Sequence, residues 1–254
     1  MGQERLEPGR GRRSGVVKQG RDSKRPFYIV LAVILIAGIT ALSYMAARPR
    51  QNVSLVDTTL PPVPNTGHAL GRDNAPVEVV EFADFECPAC GSFATLTEPD
   101  VRSRLVNTGI VHYRFMDYPL SMHRNTWPAH RAAWCAGDQN KFWEMHDALF
   151  FNQDRWNGEA TSRPDGVIAQ LAQGLGLNMS QFNSCVESRK YDPQIRANQA
   201  EAERRQVQST PTFEIGQKRV TSAISYDEFK RHVDDALAAK SAAATTTTPA
   251  TKTK

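Results

Sequence analysis

Residues 76–93 read PVEVVEFADFECPACGSF, and the reading of the fold starts there. From Pro76 to Asp84 the Val and Phe residues are closely packed, with no turn residue after the first position. That pattern predicts a short strand buried at the centre of a sheet. The strand leads into Cys87-Pro88-Ala89-Cys90. Proline suits the first turn of a helix, where a missing N–H costs nothing. Cys87 therefore falls at or near a helix N-cap, and the unpaired backbone N–H groups and positive dipole end there favour a thiolate. A thiol with a lowered pKa is nucleophilic near neutral pH. Cys90, one turn further in, is expected to be more buried and placed to close a short, strained disulfide with Cys87, of a kind that is easily reduced. A CxxC pair also occurs as half of a zinc site or as an inert bridge. Zinc needs a second ligand pair, but the other cysteines, Cys135 and Cys185, belong to no CxxC or CxxH. No metal site is predicted.

Outward from this stretch, residues 88–106 carry Phe93, Leu96, Val101 and Leu105 at helical spacings, with Pro99 expected to kink or interrupt the helix. Residues 110–116 (IVHYRFM) predict a second strand. Strand, helix, strand is the start of an α/β layer. From 124 to 208 the pattern is almost wholly helical, with segments at 129–136, 141–151, 165–175, 180–188 and 193–207. Trp127, Trp134, Phe142, Trp143, Phe150 and Phe151 are expected to be helix core rather than a ligand box. His112, His123, His130 and His146 show no paired metal spacing and read as surface or satisfied core residues. Residues 212–215 and 219–222 flank Gly216-Gln217, a hairpin signal, and a last helix starts at Ser225 with Glu228 completing a capping box.

The whole chain has 254 residues, 40% apolar and 23% charged, which excludes collagen-like, wholly disordered and polytopic membrane classes and predicts one sizeable soluble core. Its net charge of +4 is uneven: residues 1–50 hold ten of the 31 basic residues and three of the 27 acidic ones, leaving 21 against 24. The mildly acidic remainder predicts no nucleic-acid partner. Residues 27–47, FYIVLAVILIAGITALSYMAA, carry no charge over 21 positions and are long enough to cross a bilayer once. A cleaved signal peptide is the competing reading, kept open by Ala41-Leu42-Ser43 and Ala46-Ala47, although its apolar region is usually shorter. Basic residues crowd the preceding segment, so residues 1–26 are expected in the cytoplasm and everything after the span is expected outside the cell membrane. Residues 48–69 are polar and Pro-rich and read as a tether. Residues 241–254 are low-complexity and read as a disordered tail. No GxSxG, Walker loop or GxGxxG occurs, which removes the commonest hydrolase and nucleotide-binding readings.

Three stretches in order, LGRDNAPVEVVEFADFECPACGSF (70–93), HRAAWCAGDQNKFWEMHDALF (130–150) and STPTFEIG (209–216), resemble the DsbA-like branch of the thioredoxin superfamily, of the membrane-anchored bacterial kind. The resemblance covers about residues 70–238. It implies an α/β thioredoxin fold over 70–240 with a helical domain inserted at about 122–208, preceded here by the single transmembrane helix. It also implies that Cys87 is the nucleophilic cysteine and Cys90 its resolving partner. Pro88, Ala89, Thr210 and Pro211 would meet substrate, Thr210-Pro211 forming the family's cis-proline loop beside the disulfide. Glu81 matches the acidic residue that relays protons to the buried cysteine; an ordinary strand carboxylate facing solvent is the alternative. Related proteins join cysteines placed like Cys135 and Cys185 in a non-catalytic disulfide, two free buried thiols being the alternative.

The activity so implied is introduction of disulfide bonds into cysteine-containing exported proteins. It needs no cofactor, and recycling would fall to a membrane redox partner of the DsbB or vitamin K epoxide reductase type. Ala89 replaces a histidine of the best-known member that helps to stabilise the thiolate, which leaves the redox direction open. A reductase or isomerase using the same cysteines is one alternative, and a non-catalytic binding module of the same fold is another.

Overall fold

In a computed structural model of the chain, residues 25–47, 52–64 and 66–246 are described. The expectations for residues 1–24 and 247–254 lie outside them. The chain divides into two units, Met1–Arg50 and Gln51–Lys254. The first contains helix α1 (Arg25–Ala47), whose window Pro26–Ser43 has a mean hydropathy of 2.3 and no buried residue. By length and composition it can cross a membrane.

The second unit is built on a six-stranded sheet. It begins with β1 (Asn52–Leu55) and β2 (His68–Leu70), followed by β3 (Val77–Ala83). Next come α2 (Pro88–Leu96), α3 (Glu98–Val101), a π-helical turn (Arg102–Val106) and β4 (Val111–Asp117). Six helices then form a block: α4 (Thr126–Gly137), α5 (Phe142–Phe151), α6 (Gln153–Trp156), α7 (Asp165–Gly174), α8 (Met179–Glu187) and α9 (Asp192–Arg204). The hairpin β5 (Thr212–Ile215) and β6 (Lys218–Thr221) and helix α10 (Tyr226–Thr246) complete the unit. The strand order is β1-β6-β5-β3-β4-β2, with β3 and β4 parallel and every other pair antiparallel. A parallel pair needs a crossover, which α2, α3 and the π turn provide. Pro99 lies in the first turn of α3, so the expected interruption of the helix falls at Thr97.

Central β3 has apolar cover on both faces. Val77 and Val79 pack with Phe213, Ile215, Phe229 and Val233 on the α10 side, whereas Val80 and Phe82 pack with Ala202 and Val207 near α9. The helical block forms its own apolar cluster around Phe85, Phe142, Met145, Leu149 and Trp156. The hairpin turns at Gly216, whose φ of +57° and lack of a Cβ are both required, since a Cβ there would lie 2.9 Å from that of Ala236.

The structure corrects the sequence reading in three places. Residues 48–69 are not only a tether: β1 pairs with β6 and β2 with β4, and Arg205 reaches the Pro61 carbonyl, so part of the segment belongs to the sheet and its flank. Unpaired strand edges are a liability, and these short strands cover them. The tail does not begin at Ser241, because α10 runs on to Thr246 through an alanine-rich stretch of high helix propensity. Phe151, expected in the helix core, is 68% exposed at the end of α5, while Phe142 and Phe150 are buried.

Candidate active site

Cys87 is the N-cap of α2, with extended φ and ψ of −71° and 122°, and Pro88 occupies the first turn. The turn before it is set by Asp84, whose carbonyl accepts the Cys87 N–H (3.0 Å) while its side chain accepts the Glu86 N–H (2.8 Å). The Gln153 amide donates to the carbonyls of Phe85 (2.7 Å) and Cys87 (3.0 Å), closing the turn from the helical block. Both thiols are free. Cys87 is 7% exposed and Cys90 fully buried. Pro88 and Ala89, between them, are exposed and half-buried respectively.

Opposite the sulfurs runs the loop before β5. The Thr210-Pro211 peptide is cis, and the Thr210 carbonyl oxygen lies 3.4 Å from Cys87 Sγ. The structure thus brings Cys87, Cys90, Thr210 and Pro211 together. Neighbouring groups set the two sulfurs apart. The Cys90 thiol, ahead of Thr210 and the backbone N–H groups of Cys90 and Ala89, holds the Cys87 pKa down to about 6 against the opposing effect of burial. Burial, reinforced by the nearby Cys87 thiolate, pushes the Cys90 thiol well above its ordinary value. One sulfur is a good leaving group and the other holds its proton.

Glu81 lies beneath the pair at 2% exposure, so the solvent-facing alternative is set aside. Its parity on β3 matches Val77 and Val79, which points it into the interior. Burial, then the charge of Glu98, raises its pKa well above the carboxylate range, and Tyr113 donates a hydrogen bond to it.

Sequence reasoning missed a second set of groups. Asp84, fully buried, also accepts from the Leu120 N–H (2.7 Å) and the Thr126 hydroxyl (2.5 Å), and pairs with His123 (2.7 Å). Glu86 accepts the N–H groups of Asn125 and Gly158, both at 2.6 Å. His130, wholly buried, lies 2.5 Å from Asp117 and 3.8 Å from Asp84. Burial alone would lower its pKa, but these two carboxylates raise it to about 9. Asp84 directly follows β3 and Asp117 ends β4, and carboxylates at the ends of parallel strands were the available signal. A cleft of about 230 Å³ beside the turn is lined by Glu86, Pro88, His123 and Gly158. A larger cavity, about 640 Å³, lies between residues 55–63, the β5–β6 hairpin and α10, and neither sulfur lines it.

Cys135 and Cys185 are joined by a disulfide that links α4 to α8, with Cα atoms 5.8 Å apart. Among the described residues no group of three or more His, Cys, Asp or Glu side chains is placed to hold a metal ion.

A parallel βαβ unit continued by an antiparallel hairpin, with a CxxC at the helix start and a cis-proline loop against it, defines a thioredoxin-type fold. The family model described as Thioredoxin matches residues 64–235, and the chain belongs to that family. Among curated relatives, an Na(+)/H(+) antiporter NhaA 3 of Salinispora tropica is 36% identical over 166 residues, 65% of this chain and 24% of the antiporter. The chain therefore spans only about a quarter of that relative's length. Disulfide bond formation protein D of Bacillus subtilis is 26% identical over 67% of this chain and 77% of its own length. Among solved structures, alpha-DsbA1 of Wolbachia pipientis superposes with a TM-score of 0.64 at 22% identity, covering 73% of this chain and 97% of that one. Oxidised BdbD of Bacillus subtilis gives 0.59 at 23% identity, covering 68% and 97%.

Proposed function

We propose that this chain is a membrane-anchored, extracytoplasmic thiol-disulfide oxidoreductase that introduces disulfides into exported proteins through Cys87 and Cys90. The observation that carries this is the asymmetry of the pair: Cys87 at a helix N-cap with a pKa lowered to about 6, and Cys90 buried with its pKa raised. A substrate thiolate attacks Cys87 Sγ of the Cys87–Cys90 disulfide, the S–S bond breaks, and Cys90 leaves and takes a proton from protonated Glu81. A second substrate thiolate attacks its own sulfur in the mixed disulfide, releasing oxidised substrate and Cys87 as a stabilised thiolate. The Thr210-Pro211 loop, Pro88 and Ala89 form the surface against which an extended substrate segment lies.

Helix α1 supports a single anchor crossing the bilayer through residues 27–47, with the catalytic unit outside. The relative named for disulfide bond formation supports the oxidase direction. Reoxidation then falls to a membrane redox partner of the DsbB or vitamin K epoxide reductase type. The test is a Cys90→Ala variant expressed in cells. Mixed disulfides through Cys87 to exported proteins and to a membrane protein are expected, and their absence refutes the proposal. A reduction potential near about −270 mV instead of one toward about −120 mV would replace the oxidase by the reductase or isomerase.

A further inference from the structure

Each half-cycle of the reaction moves a proton on or off Cys90, which is fully buried, by way of Glu81, which is nearly so. That proton must reach solvent through the protein interior. Tyr113 of β4 donates a hydrogen bond to Glu81, and the charges of Glu98 on α3, Arg102 in the π turn and Cys87 at the start of α2 act on it. Beyond them, on α5, lie His146 and Asp147.

Glu98 is 1% exposed and His146 wholly buried. Arg102 fixes one Glu98 oxygen, with its Nε 2.8 Å from Oε1, and the same guanidinium donates to Asp147 (2.9 and 3.0 Å). The other Glu98 oxygen, Oε2, has no hydrogen-bond partner, nor does Nε2 of His146, and these two atoms face each other at 3.7 Å. Nδ1, the opposite ring nitrogen of His146, lies between Asp147 Oδ1 (2.8 Å) and Nη2 of Arg102 (3.1 Å), and the Asp147 side chain is 47% exposed. Two unpartnered buried polar atoms in apposition are costly unless they serve a purpose. An imidazole can take a proton at one nitrogen while it gives one up at the other.

We propose that Glu98 and His146 carry the proton that Cys90 exchanges, between Glu81 in the interior and Asp147 at the surface. The inference rests on the oxidoreductase reading above. When Cys90 leaves as a thiolate, Glu81 gives up its proton and becomes a carboxylate. His146 Nε2 delivers a proton to the Glu98 carboxylate at Oε2, Glu98 passes it on to Glu81, and a proton from solvent restores His146 by way of Asp147. Reoxidation runs the same transfers in reverse, so no proton is created or lost. Both residues act on the sulfur only through Glu81, which makes them positioning residues. A purely structural Glu98–Arg102–Asp147 network would give the same folded stability without any effect on proton movement.

The test uses the full chain in detergent micelles, turning over with reduced glutathione and an oxidant that regenerates the disulfide. In mixtures of light and heavy water, a relay of several protons gives a curved dependence of rate on deuterium fraction in the unmodified protein. Glu98→Gln and His146→Gln are each expected to slow steady turnover about tenfold above neutral pH, where solvent protons are scarce, while the first encounter of oxidised protein with glutathione keeps its rate. Glu98→Asp is expected to recover most of the loss. A linear isotope dependence, or an unchanged pH profile in a folded Gln variant, overturns the relay. Absence of any Cys87-dependent exchange in the unmodified chain overturns the oxidoreductase reading and the relay with it.

Discussion

Carrying the pH through 6 is expected to change the proton response of the Cys87–Cys90 couple. Below the Cys87 pKa of about 6, reduction takes up two protons with two electrons; above it, only Cys90 takes one. The potential then falls by about 59 mV per pH unit on the acid side and about 30 mV per unit on the other. Cys87 is a group whose pKa is lowered on folding, from 9.0 to about 6, so its contribution to the folded reduced form grows as pH rises above 6 and is complete only above 9. At pH 7 the gain is about 1.4 kcal/mol, or about 30 mV for a two-electron couple. The full shift is worth about 4 kcal/mol. Thioredoxin and DsbA differ by about 150 mV, so at neutral pH the thiolate supplies about a fifth of that gap. A strongly oxidising value would therefore need further stabilisation of the reduced state or strain in the oxidised one. The assay is equilibration with glutathione buffers at a series of pH values, with alkylation and mass measurement to count free thiols. A single slope near about 59 mV per unit continuing to pH 8 would mean that Cys87 is an ordinary thiol, and the N-cap account would fall.

Replacing both Cys135 and Cys185 with Ala removes a link across 50 residues and is expected to lower stability by about 4 kcal/mol, read by urea unfolding, while the Cys87 titration stays in place. His130→Gln leaves the Asp84 and Asp117 carboxylates without their buried cation and is expected to destabilise by about 3 to 5 kcal/mol. In the unmodified protein the raised His130 pKa gives stability that is complete below 6.5 and lost as pH rises to about 9, so thermal melts across that interval should fall in the native chain and flatten in the variant. Glu81→Gln removes the proposed proton donor to Cys90 and is expected to slow disulfide opening by about tenfold or more without altering the fold, measured by stopped-flow reduction.

Much of the arrangement around the cysteines was legible in the sequence because it depends on local rules. A proline one residue after Cys87 fixes the helix start, and a packed Val/Phe run fixes the central strand. Burial of Glu81 was not legible from the strand, which also carries the exposed Glu78; only the family resemblance pointed to it. The place of Thr210 was legible only through the family resemblance, because its contact with Cys87 spans 123 residues and no local pattern reports a cis peptide. The Asp84, His123 and His130 cluster escaped for a similar reason, its members coming from a strand end, a loop and a helix. The edge strands β1 and β2 were hidden by Pro-rich composition around them, since a strand of three or four residues has too few positions to show alternation.

The grips that hold the cysteine turn lie upstream of it, on Asp84 and Glu86, and from behind it, on Gln153. The side chains at 88 and 89, exposed and half-buried respectively, take no part in those hydrogen bonds. Evolution, or an engineer, can therefore retune this protein's electron affinity by exchanging the dipeptide alone, much as a string is tuned at its peg while the bridge stays put.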